Sequence, residues 1–303
     1  MTIPAGLEAQ RSLGEEWADW LDRLPRLRAE LLEEWGLAPD GEPMHGFCSL
    51  VLPVVDADGV AAALKLALPD DESEHEALAL QHWQGDGTVR LLRADPHRRA
   101  MLLERLHPRD LSDLWDVAAC EVVAGFYPRL HRPAPPQLRP LTSYVSRWLD
   151  DLEGLGRELP VPPRMVEQAL HLGRALVSDA ASTGVMIHGD LHYANVLAAD
   201  REPWLVIDPK PMSGDPHYEP APLLHNRWEE VQGDVRASLR RRFHTVVDAA
   251  GLDEARARDW TVVRMVVDAS WAVQDARRAG RALDADERDH VTRCVAIVKA
   301  VQE

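Results

Sequence analysis

Apolar residues recur at steps of three and four over residues 8–36, where Leu13, Trp17, Trp20, Leu21, Leu24, Leu27, Leu31 and Trp35 fall on one helical face. Pro25 lies inside this run, so the pattern predicts two helices interrupted there. From Ser49 the period changes. Leu50 to Val55 and Val60 to Leu66 flank Asp58-Gly59, which predicts two strands joined by a tight turn with positive backbone angles. Beyond Pro69 the acidic stretch Asp70, Asp71 and Glu72 leads into a helix over Glu76 to Leu80, with negative charge at its positive dipole end. Thr88 to Leu92 and Ala100 to Leu106 read as two further strands, separated by Asp95-Pro96. The first part of the chain is thus expected to be a small antiparallel sheet with one inserted helix.

After His107 the strand pattern nearly vanishes. Helical periodicity covers 111–131, 141–154, 163–182, 234–250, 255–279 and 285–301, with breaks at Pro133-Ala134-Pro135-Pro136 and at Pro160 to Pro163. The expected division is residues 1–106, N-terminal helices plus sheet, and residues 107–303, mainly helical. An island from Val185 to Pro222, dense in His, Asp, Asn, Gly and Pro, interrupts the helices. No internal repeat or low-complexity tract is found.

Composition narrows the classes. The chain of 303 residues carries 34 Lys+Arg against 50 Asp+Glu, a formal charge of −16, which excludes an ordinary nucleic-acid binder with its basic face. No apolar run approaches a bilayer span, and the acidic opening Gly14-Glu15-Glu16 is unlike a signal peptide, so a soluble cytoplasmic protein is expected, with no obligate protein partner implied. Cys48, Cys120 and Cys294 lie far apart with no CxxC spacing, so reduced thiols are expected rather than a disulfide framework or a structural zinc site. Only Lys65, Lys210 and Lys299 are lysine among the basic residues, which makes each informative in a chain that otherwise uses arginine. The acidity serves solubility, or it gathers a cationic substrate; composition does not choose.

The island reads Val185-Met186-Ile187-His188-Gly189-Asp190-Leu191-His192-Tyr193-Ala194-Asn195-Val196-Leu197, then Trp204-Leu205-Val206-Ile207-Asp208-Pro209-Lys210. An apolar run ends in His-Gly-Asp, an Asn follows that Asp by five residues, and a second apolar run ends in another Asp. The spacing suits phosphoryl transfer, which needs a positioned hydroxyl acceptor and counter-charge for a triphosphate. In that reading Asp190 accepts the hydroxyl proton, Asn195 and Asp208 hold Mg²⁺ through hard oxygens, His188 braces the loop, and Gly189 allows a sharp turn. An alternative takes His188, Asp190 and His192 as alternating ligands of a metallohydrolase. Lys65 ends a hairpin strand where its charge could reach the α- and β-phosphates of ATP, with Glu76 as its partner. The backbone at Glu104 and Leu106 offers adenine a carbonyl and an amide, and Ser49, after Gly46-Phe47-Cys48, offers a phosphate a hydroxyl.

His188 through Asn226, the Ala-Leu-Lys-Leu hairpin, the Leu-Leu-Glu-Arg-Leu hinge and the chain length resemble the aminoglycoside phosphotransferase group, in particular its streptomycin 6-kinase and hydroxyurea phosphotransferase branch. The resemblance implies an α+β bilobal kinase-like fold and transfer of the γ-phosphate of ATP, with Mg²⁺, to a hydroxyl of a small molecule. For the acceptor, carboxylates and indoles past the metal Asp suit a cationic sugar: Asp215, Glu219, Trp228 and Glu229, and the pair Trp271 and Asp275 four apart on one helical face. A catalytically silent nucleotide-binding module would instead show erosion of Lys65, Asp190 or Asp208, and all three are present.

Overall fold

The computed structural model describes residues 3–231 and 233–302. The chain forms two compact units, residues 1–108 with 198–207, and residues 109–197 with 208–303.

In the first unit, α1 (Ala5–Ala9) and α2 (Glu15–Trp35) precede β1 (Ala38–Pro39), β2 (Met44–His45), β3 (Ser49–Val55), β4 (Ala61–Ala67), α3 (Glu76–Trp83), β5 (Leu91–Asp95) and β6 (Ala100–Glu104). The sheet runs β1-β3-β4-β6-β5 with β2 also on β3, and each pairing is antiparallel. Strand period two sorts its faces. Leu50, Leu52 and Val54 of β3 and Ala62, Leu64 and Leu66 of β4 are buried in one cluster with Trp20, Leu21, Leu24, Leu31 and Trp35 of α2. Lys65 alternates with that set and pairs with Glu76 of α3.

Two expectations are corrected here. α2 is one helix that continues through Pro25. The lost backbone bond and ring clash cost about 3 kcal/mol, and each large apolar side chain buried on either side of Pro25 returns about 1.5–3 kcal/mol, so the apolar face outweighs the break. Leu13, counted in that face, lies in a preceding 3₁₀ turn and is 40% exposed. The β3–β4 connection is also not a two-residue turn. Val55 pairs with Ala61, leaving 56–60 as the loop. There the Asp56 side chain accepts from the N–H groups of Asp58 and Val60 and only Gly59 takes a positive φ. β5 begins later than expected, at Leu91, because its register is set from the other end, where Asp95 pairs with Ala100 and caps the intervening 3₁₀ turn.

The second unit contains α4 (Asp116–Leu130), β7 (Arg132–Pro133), α5 (Leu141–Leu155), α6 (Pro163–Ser178), β8 (Val185–Ile187), then, after β9 (Val196–Ala198) and β10 (Trp204–Val206), β11 (Met212–Gly214), α7 (Pro220–His225), α8 (Val235–Ala250), α9 (Glu254–Arg278) and α10 (Ala285–Val301). Its core gathers Trp148 and Leu149 of α5, Phe243 of α8, Trp260, Val263 and Val267 of α9, and Ile297 and Val298 of α10. A three-stranded sheet, β11-β8-β7, is set among these helices. No helix among the described residues is long and apolar enough to cross a membrane.

Candidate active site

β8 delivers the His188-Gly189-Asp190 loop. Its antiparallel partner is β11, with Ile187 opposite Met212, and the Lys210 N–H donates to the His188 carbonyl at 2.8 Å, so the loop runs beside the segment that begins at Asp208. Gly189 takes φ +80°, and a Cβ there would collide with the Lys210 carbonyl oxygen. His188 is fully buried, and its Nδ1 accepts the Asp190 N–H at 3.2 Å, a contact that braces the turn. The Asn195 Nδ2 donates to the Asp190 carbonyl at 2.8 Å. Among the described residues nothing donates to the Asn195 Oδ1 or to the Asp190 carboxylate, whose nearest ionic neighbour is His192 Nε2 at 4.0 Å; the Asp190 side chain is 30% exposed. A carboxylate and an amide oxygen are thereby presented with their backbones fixed.

The turn carrying Asn195 is anchored from below. Tyr193 donates its hydroxyl to Asp116 Oδ1 at 3.1 Å, and Arg242, fully buried, donates its Nε to the same oxygen at 2.7 Å and its Nη1 to the Asn226 carbonyl at 2.6 Å. The loop at 226 is thus tied to α4 and α8 through one buried charge pair.

Glu219, expected to bind the acceptor, has another role. It is fully buried, and its two carboxylate oxygens accept the N–H groups of His188 at 2.5 Å and Gly189 at 3.2 Å. Burial alone would raise its pKa, but His131, whose Nε2 lies 3.5 Å from one carboxylate oxygen, and the backbone N–H of His188 hold it below its ordinary value. Glu219→Ala leaves two buried donors without acceptors, each at about 1–3 kcal/mol, so a loss of roughly 2–6 kcal/mol is expected by denaturant melt; an unchanged midpoint would remove the clamp from the account. Because the folded pKa is depressed, this stability is present above the unfolded value of about 4.3 and is lost only as pH falls through the lower folded value.

Asp215 is corrected in the same way. It is 1% exposed and accepts from His217, Arg256 Nε at 2.5 Å and Trp260 Nε1 at 2.7 Å. Burial would raise its carboxyl, but these bonds hold it down to about 2. It ties the turn after β11 to α9 and is closed to a ligand. Trp271 keeps one ring edge against Trp148 and carries the Arg264 guanidinium 4.9 Å over its face, so that face already holds a cation. Trp228 likewise carries Arg293 over its ring at 5.5 Å. Asp275 is half exposed and paired with Arg278 at 3.0 Å, and Glu229 is exposed on a 3₁₀ turn. The sequence missed Arg264 and Asp268 of α9, an i,i+4 pair at 2.7 Å, because such a pair reads as surface. In the structure the Arg264 guanidinium lies among Tyr218, Trp148 and Trp271, with 13% of its side chain exposed, and is within electrostatic reach of Asp190.

Asn195 and Asp208, expected to hold Mg²⁺, both carry hard oxygen donors. Asp208 follows β10 at φ +55°, in the left-handed region, with its carboxylate 32% exposed and Lys210 Nζ at 3.9 Å. Asn195 is buried and spends its amide nitrogen on the loop, which leaves its oxygen with no donor among the described residues. Two hard oxygen donors on fixed backbones fit Mg²⁺. The alternative set His188, Asp190 and His192 does not converge: His188 Nδ1 is taken by the backbone and the ring is buried.

In the first unit Lys65 Nζ donates to both Glu76 oxygens, at 2.6 and 2.7 Å, with the lysine 5% and the glutamate 1% exposed. Ser49, at the head of β3, is buried behind a turn closed by the Gly46 N–H on the Ser49 carbonyl. Its exposed tip is Phe47, which meets Trp17 edge-on. Glu104 holds Arg201 at 2.8 Å, and past the end of β6 the Leu106 N–H has no backbone acceptor among the described residues.

A small sheet holding a buried lysine and glutamate, with a helical unit that presents an aspartate on a braced loop and a second aspartate at a strand end, defines a kinase-like phosphotransferase. The chain belongs to the family described as aminoglycoside/hydroxyurea antibiotic resistance kinase, which it matches over residues 34–276. It is 42% identical to "Streptomycin 6-kinase" of Streptomyces glaucescens over 91% of this chain and 92% of that one. To "Hydroxyurea phosphotransferase" of Kitasatospora aureofaciens it is 43% identical, over 91% of this chain and 82% of that one. The fold is shared with the spectinomycin phosphotransferase APH(9)-Ia, solved with ADP and spectinomycin, at TM-score 0.60 and 15% identity, covering 91% of this chain and 98% of that chain.

Proposed function

We propose that this chain acts in the cytoplasm to transfer the γ-phosphoryl group of ATP to a hydroxyl of a streptomycin-type aminoglycoside. The observation that carries the reading is the Asp190 carboxylate, 30% exposed and accepting no hydrogen bond among the described residues, on a loop whose backbone is held by Glu219, His188 and Asn195. The acceptor hydroxyl donates to that carboxylate, which takes the proton as the new P–O bond forms and the bond to ADP breaks. When bound through Asn195 and Asp208, Mg²⁺ supplies counter-charge for the phosphate oxygens. Lys65, held by Glu76, is assigned to the α- and β-phosphates, and Leu106 with the Glu104 carbonyl to adenine. The near full-length identity to a streptomycin kinase and the net charge of −16 support a cationic acceptor.

The similar identity to a hydroxyurea phosphotransferase favours a second reading, in which the acceptor is small and neutral. Purified protein with ATP and Mg²⁺ should release ADP with streptomycin and yield its phosphate ester by mass spectrometry. Turnover with hydroxyurea alone selects the second reading, and turnover with neither overturns both.

The lysine makes a separable prediction. Lys65→Ala should raise the ATP KM at least about tenfold, the cost of a lost charge-assisted contact of about 1.4 kcal/mol or more, with the acceptor KM unchanged. It also strands a buried carboxylate, so stability falls by about 3–5 kcal/mol. Lys65→Met combined with Glu76→Leu should recover stability but not ATP affinity, and recovery of both would remove the lysine from the donor site.

A further inference from the structure

Away from the residues assigned to phosphoryl transfer, three side chains with metal-binding atoms meet in the second unit. His225 ends α7, and His290 and Cys294 are four residues apart on one face of α10. Their ligand atoms all lie within 4.8 Å of one another. The Cys294 Sγ is 3.5 Å from His225 Nε2 and 3.7 Å from His290 Nε2. The two imidazoles meet edge to face with centroids 4.5 Å apart. Cys294 is buried, while the two histidines keep some exposure.

The spacing is the argument. A tetrahedral zinc-type ion with bonds of about 2.3 Å to sulfur and about 2.05 Å to nitrogen places sulfur and nitrogen about 3.6 Å apart. The two observed sulfur–nitrogen separations bracket that value. Thiolate with two imidazoles is also the donor set that prefers a borderline-soft ion over Mg²⁺, and it leaves a fourth position for water. Asp268, Arg264 and Arg293 lie within electrostatic reach of the cluster, Arg264 paired with Asp268 and Arg293 with Asp289, so their charges largely offset one another there.

We propose that His225, His290 and Cys294 form a three-ligand site for a zinc-class divalent ion, with the thiol proton released to solvent on binding. The ion joins α10 to the end of α7, the helix that begins one residue after the Glu219 clamp. The site therefore strengthens the scaffold of the catalytic loop.

Co²⁺ is the probe, added to reduced full-length protein in excess Mg²⁺ so that hard-oxygen sites are filled. Wild type should bind one Co²⁺ per chain with a thiolate-to-cobalt charge-transfer band and tetrahedral ligand-field bands, and Zn²⁺ should displace it. Zn²⁺ should also raise the thermal midpoint of wild type. Cys294→Ala should lose the charge-transfer band, and His290→Gln should weaken Co²⁺ and Zn²⁺ binding at least about tenfold. Cys48→Ser should change neither. The partly exposed His290 provides a variant that folds even if the buried Cys294 substitution does not. Absence of the band in wild type, its persistence in Cys294→Ala, or unweakened binding in His290→Gln would each overturn the site.

Discussion

Asp190→Asn should lower kcat by roughly 10²–10⁴, the range for loss of a positioned general base, and leave ATP affinity unchanged. That factor corresponds to about 2.7–5.4 kcal/mol of transition-state stabilisation. The substitution is nearly isosteric, and the bonds that shape the loop use the Asp190 backbone: its N–H to His188 Nδ1 and its carbonyl from Asn195. The variant therefore keeps the loop and removes one charge and one proton acceptor. Steady-state kinetics with the acceptor, paired with calorimetric titration of ATP and Mg²⁺, separates the outcomes. A fall in kcat with intact nucleotide binding fits a base; near-parental kcat would assign Asp190 to loop structure alone.

What the sequence revealed and what it hid divide along a physical line. Periodicity is local, so α4 to α6 and α8 to α10 were legible within about five residues at their ends, as were β3, β4 and β6, and the helical character of α2 was legible but not its continuity. Pro25 was misread because a local penalty was set against burial that only the sheet provides. The loop proposed as catalytic stood out as a spacing of Asp190, Asn195 and Asp208, since one turn and one strand end generate it. Glu219 and Asp215 were not. A carboxylate near a site reads the same whether it meets a ligand or two backbone N–H groups 30 residues away, and only the fold makes that choice. Arg264 and Asp268 gave the same signal as any surface pair until aromatic rings closed over the guanidinium. The His225, His290 and Cys294 set had no sequence signal beyond one i,i+4 pair, because its third member comes from another helix 65 residues earlier.

Asp208→Asn should abolish most turnover without unfolding the protein. Asp208 holds φ +55°, a conformation that costs an ordinary side chain about 1–2 kcal/mol but that Asn and Asp tolerate through local hydrogen bonding. Asn therefore preserves the backbone, and the thermal midpoint should stay at the parental value. Electrostatically the change is large, because a neutral amide replaces the only charge in the proposed oxygen pair with Asn195. Loss of about 3–4 kcal/mol of counter-charge stabilisation predicts a fall in kcat of roughly 10²–10³, with half-maximal activity moved to higher Mg²⁺. Asp208→Ala should lose the same activity and, in addition, about 1–2 kcal/mol of stability to the backbone conformation. The comparison of the two variants distinguishes ligand from scaffold: equal activity losses with unequal melting place Asp208 on the metal. Parental kcat and an unshifted Mg²⁺ profile in Asp208→Asn would leave the strained backbone as a structural feature and require another residue to hold the ion.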